Sequence, residues 1–291
     1  MLKKIISWIS EEKQRLRLYR IRKRIKVASL EETIEKMKEG CSISRFGDGE
    51  FYIMEGQDIG FQKSDQVLSA KLKQIFQSTE QKHLVCIGNG INPKNYREYT
   101  KKQITWMKKN FHKTMGIRLK YVILEKKYYN ALISRFWIPF RDKERAKSIS
   151  KQLKEVWKSK DIVIIEGEKT RMGVGNNLFE NVKSCRRILC PAQNAFDQYE
   201  NILDAARAFS KNVLFLIALG PTATVLAYDL YKEGYQALDI GHIDLEYEWM
   251  RLGVSEQINL KDRYVNELNG GNIVTECCDE HYLAQISHRL F

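Results

Sequence analysis

Apolar runs of strand length alternate with helix-length segments along almost all of this 291-residue chain, and nothing else in the sequence limits its fold as sharply. Residues 213–219 (VLFLIAL) form the clearest run, unbroken by any polar side chain. A continuous apolar run of this length suits a strand buried on both faces. Shorter runs at 41–46, 83–87, 161–165, 187–190 and 236–240 read the same way, with 236–240 expected to be the last strand and 121–124 a further short one. Helical segments fall between them at 97–112, 143–158, 197–209 and 222–233. Another helix starts at Ser29, where Glu32 is placed to complete a capping box, and stops at Gly40. The alternation predicts an α/β fold with a mainly parallel sheet covered by helices on both faces. The length suits one large domain with a small appendage, and the 43% hydrophobic share is enough for its core. Boundaries are expected at 1–28 for a basic N-terminal helix, 29–253 for the main domain and 254–291 for a polar C-terminal appendage.

Charge is unevenly placed. The chain carries 49 Lys and Arg against 36 Asp and Glu, a net +13 that suits nucleic acid, anionic lipid or phosphorylated substrates. Ten of the basic residues and only two acidic ones lie in the first 30 positions. The main body is therefore only mildly basic, which argues against nucleic acid as its partner. Residues 1–27 read as a helix with Leu2, Ile5, Ile6, Ile9 and Leu16 on one face. Two readings stay open for it: peripheral contact with a membrane or partner, or a solvated basic helix. No segment reads as a signal peptide or as the roughly 20 apolar residues of a spanning helix. Cys41, Cys86, Cys185, Cys190, Cys277 and Cys278 form no CxxC pair, and Cys86 and Cys190 sit in apolar runs. Reduced thiols in a cytoplasm are the expectation, with contact at the inner face of the plasma membrane left open.

Ligands of parallel sheets collect at the carboxyl ends of the strands, and five polar, Gly-containing loops are expected there. In Gly47-Asp48-Gly49-Glu50 two hard carboxylates sit one residue apart. They can face the same side if the chain stays extended, and oxygen ligands of this kind suit Mg²⁺ or Mn²⁺. Asp-Gly is equally a common turn pair. Gly88-Asn89-Gly90 follows the next strand. Lys169, Arg171, Gly173 and Asn176 lie in a loop expected to lead into a helix, whose free N–H groups would favour phosphate; it is neither a Walker loop nor GxGxxG. Gly220-Pro221-Thr222 opens a helix after the most apolar strand. Gly241-His242-Ile243-Asp244-Leu245-Glu246 gathers an imidazole and two carboxylates, which could serve as metal or phosphate ligand and general base.

Four strings in order, SRFGDGE (44–50), IEGEKTRMGVGNNLF (165–179), ALGPTATVLAYDL (218–230) and GHIDLEYEW (241–249), resemble the GT-D-type bacterial glycosyltransferase family. The resemblance covers about residues 30–253. It implies a Rossmann-like α/β domain, a divalent metal (Mn²⁺ or Mg²⁺) held by Asp48 and Glu50, and a UDP-sugar donor, UDP-glucose being a known one. The acceptors it implies are glycans of bacterial adhesins or surface polysaccharides, on a protein or lipid carrier. Arg45, Phe46, Gly47, Asn89, Lys169, Arg171, Gly173, Asn176, Gly220, Pro221, Thr222 and His242 are then the expected donor-side residues. Asp244, ahead of Glu246, is the expected base. Two rivals remain: a non-catalytic module binding anionic lipid or RNA, and another nucleotide-using enzyme of Rossmann-like fold. A missing GxGxxG argues against NAD.

Overall fold

The computed structural model describes residues 13, 15–265, 267–271 and 273–291, with backbone alone at 110–113. Its described strands form one nine-stranded sheet, and every pairing is parallel. In chain order these are β1 (Lys26–Val27), β2 (Ser42–Phe46), β3 (His83–Ile87), β4 (Lys127–Asn130), β5 (Asp161–Gly167), β6 (Ser184–Cys190), β7 (Leu214–Ala218), β8 (Gln236–Asp239) and β9 (Ile286–Arg289). Across the sheet they run β1-β4-β3-β2-β8-β7-β5-β6-β9. Alternate residues of the central strands go to opposite faces. Phe215 and Ile217 join one core with Val163 and Ile165, while Leu214 and Leu216 join the other with Ile162 and Ile164. Both faces are dry, which is why residues 213–219 show no polar alternation.

β2 and β8 are neighbours at the centre of the sheet, and the chain leaves them toward opposite faces. After β2, helix α2 (Asp48–Met54) buries Phe51, Ile53 and Met54 in the first core. After β8, helix α8 (Ile243–Arg251) buries Ile243, Leu245 and Trp249 in the second. Between two loops that diverge in this way a parallel sheet opens a crevice. The remaining helices used below are α1 (Leu30–Lys38), α3 (Gln66–Gln77), α4 (Lys101–Tyr121), α5 (Lys143–Trp157), α6 (Tyr199–Arg207), α7 (Pro221–Lys232) and α9 (Glu280–Gln285).

Several expectations change. The turn expected at 47–50 is the start of α2. α4 runs on to Tyr121, so 121–124 is no strand and the chain reaches β4 only at Lys127. Ser29 caps α1 as expected, accepting from the Glu32 N–H at 3.0 Å, but the Glu32 carboxylate pairs with Lys127 instead of closing the box. β8 is not the last strand. The C-terminal residues, expected as an appendage, fold over the rim and return as β9 beside β6. Residues 15–24 are helical with Leu16 exposed, whereas Leu2, Ile5, Ile6 and Ile9 lie outside the described residues. No helix among the described residues is long and apolar enough to cross a membrane, and the six cysteines are free thiols.

Candidate functional site

The floor of the crevice is an ion pair between its two central strands. Arg45 donates from Nε to the Asp239 carbonyl (2.7 Å), from one terminal nitrogen to Asp239 Oδ1 (2.8 Å) and from the other to Ser134 Oγ (2.5 Å). Asp239 Oδ2 also accepts the Arg45 backbone N–H at 3.0 Å and the Thr224 hydroxyl at 3.2 Å. Gly241 stands directly over this pair. Its φ is +37°, and a Cβ there would lie 2.0 Å from the guanidinium, so the opening of GHIDLEYEW must be glycine. Arg45 is thus engaged with the scaffold. Phe46 is fully buried against Phe76 at 5.0 Å between ring centroids, which corrects its reading as a donor contact.

Asp48 and Glu50 do not share a face. They are two residues apart on a helix, about 200° around its axis, so the premise of an extended chain fails. Asp48 Oδ1 accepts from Arg118 (2.5 Å) and the Thr114 hydroxyl (3.0 Å) of α4. Glu50 turns back to accept the Gly47 N–H at 2.6 Å, capping the helix it stands on. Burial and the neighbouring Asp239 carboxylate push its pKa up to about 7, against the pull of backbone N–H groups and Arg45. Among the described residues no group of three or more His, Cys, Asp or Glu is gathered as a metal cage.

The opposite wall comes from α8 and the C-terminal segment. Asp244 is buried. Its Oδ1 accepts from the Gly173 N–H (2.8 Å) and Asn176 Nδ2 (2.9 Å), and its Oδ2 is paired with buried Arg263. With both oxygens spent it is a clamp between the 168–177 loop and the C-terminal segment, and the expectation that it would be the base is corrected. Glu246 Oε2 accepts the Trp137 and Ile138 N–H groups, both at 2.8 Å, while its buried Oε1 has no hydrogen-bond partner. Burial pushes its pKa up to about 7 in spite of those donors and the Arg135 charge. His242 Nε2 lies 3.5 Å from Glu267 Oε1. Glu267 is also chelated by Arg135 and accepts from Gln257 at 2.5 Å. Burial alone would raise its pKa, but Arg135 and His242 outweigh that and hold it at about 2.

The other expected donor residues are scattered. No helix follows the 168–177 loop; the chain turns back into β6, so the phosphate-binding helix start expected there does not exist. Lys169 is exposed, and Arg171, at φ +52°, donates to the Asp262 carbonyl at 2.9 Å. Gly173, at φ +79°, has no room for a Cβ beside Phe179. Asn89 is buried on a 3₁₀ turn (Asn89–Ile91) with Oδ1 unpartnered. Gly220 and Pro221 do open α7, but Gly220 is covered by the Phe61 ring and Thr222 is buried at 3.4 Å from Gln62 Oε1. Sequence reading missed Asp239, Arg118, Arg135, Arg263 and Glu267. The RF and LD pairs that end β2 and β8 could have flagged Arg45–Asp239; nothing local flags the others.

Fold and rim together define a doubly wound α/β protein with charged side chains gathered at the carboxyl edge of its parallel sheet, where such folds take their ligands. Residues 43–268 match the family model described as glycosyltransferase GT-D fold, and the chain belongs to this family, as the four strings implied. It is 36% identical over 266 residues to the probable glycosyl transferase Gly of Streptococcus gordonii, which covers 91% of this chain and 39% of that protein. To glycosyltransferase GlyD of Streptococcus pneumoniae serotype 4 it is 34% identical over 268 residues, 91% of this chain and 33% of that one. The chain thus spans well under half the length of these relatives. Among solved structures, a highly conserved domain of unknown function with a distinct glycosyltransferase fold superposes with a TM-score of 0.88 at 36% identity, covering 94% of this chain and 98% of that one. A new glycosyltransferase from Streptococcus sanguinis gives 0.85 at 35% identity, covering 92% and 100%.

Proposed function

We propose that the chain moves a hexose, glucose before others, from a UDP-sugar to a glycan acceptor on a protein or lipid carrier, with Mn²⁺ or Mg²⁺, in bacterial surface-glycan or adhesin glycosylation. The observation that carries this reading is the charged crevice at the switch point of a GT-D-family chain. UDP and the metal follow from the sequence resemblance, and the streptococcal relatives' names support sugar transfer. The six free thiols suit work in the cytoplasm, at or near the inner membrane face.

The residues fit a cation in part. Glu50 suits one, because its carboxylate lies within the repulsive field of a second carboxylate, Asp239, which a cation would relieve. Asp48 suits it with one oxygen only, since the other serves Arg118 and Thr114. One or two hard carboxylates are what a Mg²⁺ or Mn²⁺ site takes when substrate phosphates complete it. Bound there, the cation would offset the charge on the departing nucleoside diphosphate. Arg135 and His242 are the chain's own anion binders, and at present both face Glu267. A diphosphate would draw them off. Glu267, released from the cations that hold its pKa at about 2, would become basic enough to take a proton from the acceptor hydroxyl.

A thermal-shift panel of UDP, GDP, CMP and NAD, each with and without Mn²⁺, tests the donor. At 100 times its Kd a ligand stabilises by ~2.7 kcal/mol, so UDP with Mn²⁺ should raise the melting temperature and NAD should not. Glu267→Gln should keep that shift and lose transfer. A shift with NAD, or none with UDP, would send the crevice to another nucleotide.

A further inference from the structure

We propose that the outer face of α4 and the basic helical residues 15–24 form one docking surface for an anionic lipid bilayer, beside the mouth of the crevice. This rests on the glycosyltransferase reading only for its purpose, which is to bring the site to acceptors displayed at a membrane. The surface itself stands on charge and placement.

The two helices are joined through a single turn, the 3₁₀ segment Asn89–Ile91 at the carboxyl end of β3. Arg22 donates from Nε to the Ile91 carbonyl and from a terminal nitrogen to the Tyr96 hydroxyl, both at 2.9 Å. Asn92 donates to the carbonyls of Lys23 (3.4 Å) and Ile25 (3.3 Å). On the other side of that turn Gly90 is pressed against α4: a Cβ there would stand 2.5 Å from Met107 Sδ. Residues 15–24 and the middle of α4 are therefore held on the same end of the sheet. The later turns of α4 supply Thr114 and Arg118 to Asp48, and Lys102 pairs with Glu256 of the C-terminal segment at 2.7 Å. The basic face thus adjoins the crevice.

Its charge is one-sided. α4 has 21 residues and no Asp or Glu, with seven Lys and Arg. Residues 15–24 are also without an acidic group. On α4, Lys101, Lys102, Lys108 and Lys109 are exposed; Lys102 and Lys109, four residues before and three after, flank Trp106, itself 50% exposed, and Lys101 and Lys108 lie further round the outer face. Leu16 and Tyr19 are 49% and 41% exposed among Arg17, Arg20 and Arg24. Lysines beside a half-exposed indole and along the rest of one outer helix face suit the headgroup boundary of a bilayer, where the ring enters the interface and the ammonium groups meet lipid phosphates. A nucleic acid offers the phosphates but no apolar layer for Leu16.

Co-sedimentation of the full chain with phosphatidylglycerol-containing vesicles, against pure phosphatidylcholine vesicles, tests this. Each lysine near an anionic surface is worth about fivefold in partitioning, so Lys101→Gln/Lys108→Gln/Lys109→Gln should weaken binding about 10²-fold. Lys102 is spared because of its Glu256 partner. The melting temperature should stay unchanged, as the three side chains are exposed. Trp106→Ser should weaken binding on its own. Equal binding to neutral vesicles, or wild-type binding by the triple variant, would overturn the proposal. So would an RNA oligonucleotide that strips the chain from vesicles and depends on the same lysines. Vesicle binding without a UDP-dependent thermal shift would sink the glycosyltransferase reading and leave the surface standing; the reverse result would do the opposite.

Discussion

Asp244→Asn separates a clamp from a base. In the folded chain Asp244 and Arg263 are 4% and 3% exposed at their side chains, and Asp244 also accepts from Gly173 and Asn176. The amide keeps the shape but withdraws the charge, leaving a buried guanidinium with only half-exposed Asp262 and the Val174 carbonyl. Breaking a buried pair from one side costs ~3–5 kcal/mol. An unfolding entropy of ~2.1 cal/mol/K per residue gives about 0.6 kcal/mol/K for this chain, so the melting temperature should fall by ~5–8 °C. The 168–177 loop and the C-terminal segment should loosen with it, and Glu267 with that segment, so UDP affinity and transfer should fall together. Circular-dichroism melting beside calorimetric UDP titration measures both. If the variant melts within about a degree of wild type, keeps UDP affinity and loses transfer alone, Asp244 is a base after all.

Three further outcomes are expected. Glu50→Gln should abolish the Mn²⁺-dependent part of the UDP thermal shift, while Asp48→Asn should weaken it less, since one Asp48 oxygen already serves Arg118; equal and complete losses would restore the symmetrical pair. Glu246 is held protonated up to about pH 7 in the fold against 4.5 for a free side chain. The folded state therefore binds the extra proton between those values, and this group's contribution to stability should fall by ~3 kcal/mol as pH rises through them; Glu50, also raised to about 7, adds to the same slope, so urea titrations should show the slope reduced but not abolished in Glu246→Gln, and an unchanged slope would remove the assignment. Gly220→Ala should destabilise by at least ~2 kcal/mol, because φ +54° with ψ −137° suits only glycine and its Cβ would meet the Phe61 ring at 2.4 Å; chemical denaturation would show it.

Fold class was legible because it rests on local periodicity. The double-sided apolar run at β7, the Ser29-capped start of α1 and the Gly-Pro start of α7 announce themselves within a few residues. Short edge strands do not: β1 has two residues and β9 has four, ISHR, with no apolar alternation to speak of. The loops at the rim were legible, but the contacts of their side chains were not. Glycines pointed to the rim correctly, because Gly241 and Gly220 are places where a Cβ has no room. The roles of Asp48, Asp244 and Glu246 depend on Arg118, Arg263 and Trp137, which lie 70, 19 and 109 positions away. No spacing rule reaches that far.

Among the described residues Arg45, Arg135, Arg187 and Arg263 each already have a carboxylate partner, and the question is which of these a substrate could replace. Exposure sorts them. Arg263–Asp244 at 3% and 4% and Arg187–Glu166 at 4% and 0% are sealed, so exchange would strand a buried charge at ~3–5 kcal/mol. Arg45–Asp239 is nearly as closed, at 15% and 3%. Arg135–Glu267, at 26% and 30%, is open on both sides. Water screens such a pair more than it does the sealed ones, and a doubly charged diphosphate offers Arg135 a better partner than one carboxylate. The sealed pairs therefore hold the rim in shape, and on the function proposed above the open pair is where a donor would enter. On that reading Glu267 satisfies Arg135 until a ligand would displace it. Arg135→Lys tests that ordering, since it keeps the charge but loses the paired N–H fork. UDP affinity should fall about tenfold while the melting temperature barely moves, and a large loss of stability instead would place Arg135 among the sealed pairs.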